Sequence, residues 1–167
     1  MIMEQSIKIT AIEIKAGRYI PGSLDFDGNI LIAEDLGEVR FTRLKASGNI
    51  FAGGDTSISC DEDIVAGGGI KAGGSIEAGT YIEAGKDIQA SKGIQASGRI
   101  QAGGRIKAGF DIKAGFGITA SGDISVGLSV FAGLVSYRKP SSSEMEIRCR
   151  RLTSGEVAYG TLMEEEK

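Results

Sequence analysis

The sequence predicts an all-β fold: a single-stranded parallel β-solenoid (β-helix), with three-sided 18-residue coils favoured over flattened, two-sided 12-residue ones. Three observations lead there. A large aliphatic residue recurs every six positions, at Ile64, Ile70, Ile76, Ile82, Ile88, Ile94, Ile100, Ile106, Ile112, Ile118, Ile124 and Val130. Two positions after each comes Ala, with Val126 the exception, and then Gly, or Ser at Ser91, Ser97 and Ser121. At a spacing of 18, outward residues fall into compatible columns: Asp87, Arg105 and Asp123 alternate in sign, Phe110 meets Leu128, Phe116 meets Leu134, and Tyr81 meets Arg99.

Each part of the hexad has a structural reason. Ile and Ala two apart, with a polar residue between them, make a three-residue strand with two side chains inward and one outward. Gly or Ser then turns the chain, where a tight corner needs positive φ or room for a neighbouring backbone. One hexad cannot bury its own Ile, but stacked coils place Ile over Ile and Ala over Ala. A helix is excluded, because Gly every six residues costs about 1 kcal/mol each time in a helix interior. The pattern reaches back through Leu44-Lys45-Ala46-Ser47 and Ile50-Phe51-Ala52-Gly53. It resumes at Ile58-Ser59-Cys60-Asp61 after a two-residue insertion around Thr56-Ser57, which puts Cys60 at a small inward position. Ile14-Lys15-Ala16-Gly17 obeys the same phrase. Fifteen hexads from Leu44 to Val130 give five coils, hence a rod of about 24 Å.

The ends leave the period. Residues 1–43 alternate like a strand and carry turn signals at Pro21-Gly22 and Asp27-Gly28-Asn29, which reads as an N-terminal β cap. Residues 44–134 are the hexapeptide solenoid. Residues 135–167 read as a loop (YRKPSSSE), a β-hairpin cap with Met145, Ile147 and Cys149 on one face, and an acidic tail ending in EEEK.

Composition narrows function mostly by exclusion. The chain has 26 Gly but only 2 Pro, the signature of an ordered repeat and not of a flexible linker. The net charge of −3 gives no bulk attraction to nucleic acid. The first residues show neither a basic nor an apolar leader pattern and no run is apolar enough to span a membrane, so neither secretion nor a membrane span is expected. With two separated cysteines, Cys60 and Cys149, a reducing cytoplasmic setting is expected. Hexapeptide acyltransferases also use a β-helix, but they rely on a histidine base, and this chain has 0 His. No catalytic residues, cofactor or metal are expected. Two cysteines without a CxxC give no zinc framework, and the Gly-rich strings lie in a repeat instead of between a strand and a helix. Asp61-Glu62-Asp63 reads as a solvated turn. From Ile64 to Leu134, seven basic residues face five acidic ones, which disfavours DNA mimicry.

The informative outward residues cluster late in the repeat. Phe110, Phe116, Phe131, Leu128 and Leu134 are large where earlier hexads carry Gly or Lys. Either the C-terminal segment folds over them, or they form a partner surface with Arg105, Lys107 and Lys113 as a charged rim.

Phrases such as ASGDISVG and GGSIEAG, over residues 44–134, resemble bactofilins, bacterial cytoskeletal proteins whose β-helix polymerises. The hexad is stricter here, and both ends carry cap-like segments. The stretch GFDIKAGFGITASGDISVGLSVFAGL with the following EMEIRCRR is similar to Ala-Gly hexapeptide proteins of bacterial genomes and mobile elements. That second resemblance implies a blocking role against host defence. The resulting expectation is a non-catalytic interaction protein with a protein or nucleoprotein partner. A self-assembling scaffold is the alternative. A homodimer is compatible with either, direct nucleic-acid binding is the weaker option, and no membrane is involved.

Overall fold

The computed structural model describes residues 5–20 and 22–165; Pro21, the first four residues and the last two of the EEEK tail lie outside the described residues. The hexads form short strands that stack in parallel, one per face per coil. The third face is a single eight-stranded sheet running from Leu24–Phe26 through Leu44–Ala46, Ile64–Ala66, Ile82–Ala84, Ile100–Ala102, Ile118–Ala120 and Glu146–Cys149 to Thr161–Glu164. The first face begins at Ser6–Ile9 and Asn29–Ile32, and the second at Arg18–Tyr19 and Glu38–Phe41. These two faces join through the long strand Ile124–Ala132, which continues around the corner between them.

Registers confirm the coil length. Ile64, Ile82, Ile100 and Ile118 stack directly, as do Ala66, Ala84, Ala102 and Ala120. On the first face the ladder is Ile70, Ile88, Ile106 and Ile124, with Ala90 on Ala72 and Val126 on Ala108. All of these side chains are buried, so the core is one continuous column of Ile and Ala running the length of the rod. Cys60 stacks between Phe41 and Ala78, at the inward position expected of it.

The solenoid is longer than five coils. Leu24, Leu44 and Ile64 are in register, and so are Ile30, Ile50 and Ile70, with 20-residue steps. Eight strands on the third face give a rod of about 34 Å along its axis. The 20-residue coils have a visible accommodation. Thr56 is fully buried, donates its hydroxyl to the Ala33 carbonyl at 2.9 Å and accepts the Leu36 amide at 3.2 Å. It ties the extra corner residues of adjacent coils together.

Two end segments differ from expectation. Ile14-Lys15-Ala16-Gly17 is not a hexad. Ile14–Lys15 pairs antiparallel with Arg18–Tyr19, and the chain reverses through Ala16 (φ 49°) and Gly17 (φ 74°), the two positive φ values of a tight hairpin turn. At the other end the expected antiparallel hairpin does not form. Glu146–Cys149, Leu152–Tyr159 and Thr161–Glu164 each lie parallel to the strand beneath, so the segment adds another coil. Alternation of apolar and polar residues suits either geometry. The parallel one wins because it extends the apolar column: Leu152, Val157 and Leu162 settle over Ile124, Val130 and Ile147.

Corners carry a second ladder that the hexad conceals. The Asn29 side-chain oxygen accepts the Asn49 amide at 2.7 Å, and that of Asn49 accepts the Gly69 amide at 2.8 Å. One carboxylate oxygen of Asp87 accepts the Arg105 amide at 2.7 Å, Ser57 accepts that of Ser75 at 2.9 Å, and Asp111 accepts that of Ser129 at 3.2 Å. A short polar side chain thus satisfies an amide of the coil above, where the strand ladder is interrupted.

Candidate interaction surface

The late outward residues occupy two corners and the face between them. Phe110 and Leu128 stack at the corner joining the first and second faces, where Leu128 donates its amide to the Phe110 carbonyl at 3.1 Å. Phe116 and Leu134 lie at the next corner, joining the second and third faces. There the expected stacking fails. Gly133, at φ 85°, donates to Phe116, while Leu134 donates to Ala114, so the chain turns outward instead of closing the coil. The two pairs are therefore not adjacent columns. Between them the second face presents Gln95, Lys113, Phe131 and Tyr159 in register.

The C-terminal segment leaves Phe110, Leu128 and Leu134 uncovered. Phe110 is 54% exposed, Leu128 58% and Leu134 46%. Phe116 is half-buried and lines a small cleft with Arg99, Thr119, Ser143 and Glu144. The reason is the parallel course of the last coil, which stacks on the rod's end and leaves its sides open.

The chain leaving at Gly133 forms the loop expected at YRKPSSSE, and it is held in place. Its Arg138 guanidinium grips Glu144 with two bonds, 2.8 and 2.6 Å, and Glu144 also accepts the Ser141 amide at 2.8 Å. These contacts hold the Glu144 carboxyl down at about 2. The loop is thus braced, and it presents Tyr137, 74% exposed, with Arg138 stacked 5.6 Å from its ring. Leu134, Val135, Ser136 and Tyr137 face Gln95, Ser97 and Lys113 across a cleft of about 230 Å³.

The expected charged rim is dispersed. Arg105 lies at the corner between the third and first faces, where it pairs with Asp87 at 3.1 Å. Its amide and guanidinium lower the Asp87 carboxyl below its ordinary value. Lys107 is on the first face, in register with Gln89 and Ser125. Lys113 alone stands among the apolar residues, 3.3 Å from Asp111 and 5.5 Å from the Phe131 ring. Of the columns read at a spacing of 18, Asp87–Arg105 forms this ion pair, and Arg99 lies 5.4 Å from the Tyr81 ring. Asp123 is instead held by Arg150 from the following coil, at 2.8 and 2.6 Å.

Other clusters are structurally engaged. Asp61 pairs with Arg18 and Arg40 at 2.9 and 3.1 Å, and Glu62 with Arg43 at 3.0 Å. Asp63 accepts the Thr80 hydroxyl. This acidic triplet is neutralised from earlier coils and forms no metal-ligand group among the described residues. Cys60 and Cys149 are free thiols facing the core, and burial pushes both up from the ordinary thiol value, Cys60 furthest. No helix among the described residues is long and apolar enough to cross a membrane. No protein-family model, curated protein or solved structure matches the chain.

Proposed function

We propose that this chain is a non-catalytic rod that binds a macromolecular partner through the second face of its C-terminal half, and acts by occupying that partner. One observation carries the reading. Phe110, Leu128, Leu134 and Tyr137 stay exposed on a scaffold whose core does not use them. Earlier coils keep the same fold with Gly74 and Lys92 in the Phe110–Leu128 column. Exposed large apolar groups on a rigid strand frame offer desolvation without an ordering cost, which favours recognition. A protein or nucleoprotein partner in a reducing cytoplasm fits the two buried thiols, and blockade of a host defence factor is the biological role this reading favours. The test replaces Phe110 and Leu128 together with Lys. The variant should melt like the parent and lose whatever the parent captures from a bacterial lysate. Undiminished capture by a folded variant would remove this surface from consideration.

A second reading is self-assembly, favoured by the last coil. Leu152, Val157 and Leu162 are only partly buried, and Thr161–Glu164 has a strand neighbour on one side alone among the described residues. Light scattering separates the two. Growth with concentration, stopped by Val157→Lys, supports stacking through this end; a small species of fixed mass rejects it.

A further inference from the structure

The first face carries a groove that the binding reading above does not use. We propose that this groove binds single-stranded nucleic acid, laid along the rod. The inference goes beyond the second-face surface and shares no residue with it.

Two cavities, of about 420 and 360 Å³, meet at Asp87 and Gln89 and run together along the first face. One side is the corner ladder between the third and first faces, with Asn49, Asp87 and Arg105. The other is the outward column of the face, where Phe51, Lys71, Gln89, Lys107 and Ser125 stand in register. Corner and column residues of one coil, such as Asp87 and Gln89, lie two positions apart in extended chain, about 7 Å. That width admits one extended strand and is too narrow for a duplex. Phe51 to Ser125 is four coil spacings, about 19 Å, which accommodates a site of about four nucleotides.

The cations of this groove are unspent. Lys71 and Lys107 on the column and Lys86 at the corner are exposed, and none of them makes an ion pair among the described residues. The acids beside them are engaged. Asp87 accepts the Arg105 amide and guanidinium, Asp123 is held by Arg150, and Glu83, on the third face, pairs with Arg99. Asp111 stands at the opposite corner with Lys113. Glu34, Asp35 and Asp55 are also at that corner, one coil or more below Lys71, and Glu156 and Glu164 belong to the last coil, two above Lys107. The middle of this face is therefore net cationic on a chain whose total charge is −3. The aromatic component is Phe51, 41% exposed, with the Lys71 ammonium 5.8 Å over its ring. A base entering there takes the ring face and frees the ammonium for the adjoining phosphate. Gln89, between the two column lysines, offers an amide donor and an acceptor to a base edge. Cations that track a backbone, interleaved with a ring that stacks a base, are the features of single-strand recognition. A protein segment fits less well, because polar Gln89 stands at the centre of the groove, where an apolar anchor belongs.

The test is fluorescence anisotropy of a fluorescein-labelled 12-nucleotide oligothymidine titrated with the full chain. It should bind, and log K should fall against log salt with a slope of about −2, the value for three phosphates neutralised on a single strand. Lys71→Glu/Lys107→Glu, which changes only outward side chains and should melt like the parent, should weaken binding at least tenfold and flatten the slope. Phe51→Leu should weaken it about fivefold or more at every salt concentration. Lys113→Glu, on the second face, should leave it unchanged. Absence of binding at about 50 mM salt, or binding indifferent to Lys71→Glu/Lys107→Glu, overturns the proposal. A 12-base-pair duplex that binds as tightly as the single strand assigns the face to duplex phosphates and rejects it. A heparin hexasaccharide that binds as tightly, with Phe51→Leu without effect, assigns the groove to acidic polysaccharide and rejects it too.

Discussion

At the scale of single residues, the fold depends on a few positions in each hexad and is indifferent to the rest. Ile88 is completely enclosed between Ile70 and Ile106. A carboxylate there would be buried without a partner, so Ile88→Asp should unfold the central coils and cost several kcal/mol. A circular-dichroism melt indistinguishable from the parent's would contradict the inward ladder. Thr56 is a quieter case. Its two hydrogen bonds have no periodic counterpart, and Thr56→Val keeps the volume while orphaning the Leu36 amide. We expect a loss of about 1–3 kcal/mol by denaturant titration. The inward positions were legible from the sequence because Ile and Ala repeat in strict period. Thr56 was visible only as part of an insertion. Its partners Ala33 and Leu36 lie in a segment outside the repeat, and nothing in their spacing announces them.

At the scale of elements, the corners work differently from the simplest expectation. Regular corners do not use positive φ; what they need is space beside the coil below. A β-carbon on Gly109 would collide with the Ser91 carbonyl oxygen, and one on Gly85 with that of Gly67. Yet Ser91 and Ser121 carry β-carbons in the same columns. Each of them rests on a glycine, Gly73 or Gly103, whose freer backbone can tilt its carbonyl aside. Gly85→Ser should therefore cost less than about 1 kcal/mol, whereas Gly109→Ser, resting on Ser91, should cost about 1–3 kcal/mol. Equal midpoints for the two variants would show that the lower residue does not matter. The loop after Gly133 gives a pH prediction. The Glu144 pKa is depressed, so its contribution is complete above the ordinary glutamate range and disappears as pH falls through about 2. Tyr137 ring resonances should hold their native shifts at pH 4 and collapse to random-coil values near pH 2. Release already at pH 4 would argue against the Arg138–Glu144 clasp. Neither this clasp nor the last coil was readable beforehand. The segment from Glu144 onward alternates without the Ala-Gly phrase, and alternation alone does not distinguish a hairpin from another parallel layer.

At the scale of the whole molecule, stability is a sum of neighbour terms, because each coil touches only the coils above and below it. Strands such as Ile82–Ala84 are paired on both sides, whereas Thr161–Glu164 is paired on one. Amide hydrogen exchange should accordingly be slowest between about residues 64 and 120 and fastest in the final coil. Uniform protection along the chain would mean that the rod opens as a single unit. The strict equivalence of the central coils also bears on descent. Any one of them can be copied or lost by slippage between similar stretches of the gene, and every column closes up again without a misfit. Loss of a whole coil shortens the distance from the N-terminal hairpin to the braced loop but leaves the loop over the same face. Loss of a single hexad turns everything beyond it by one third of a revolution. Corner would still follow face, yet Phe110 and Leu134 would look in another direction. Lineages of this chain should therefore differ by whole coils far more often than by lone hexads wherever these exposed residues matter to survival.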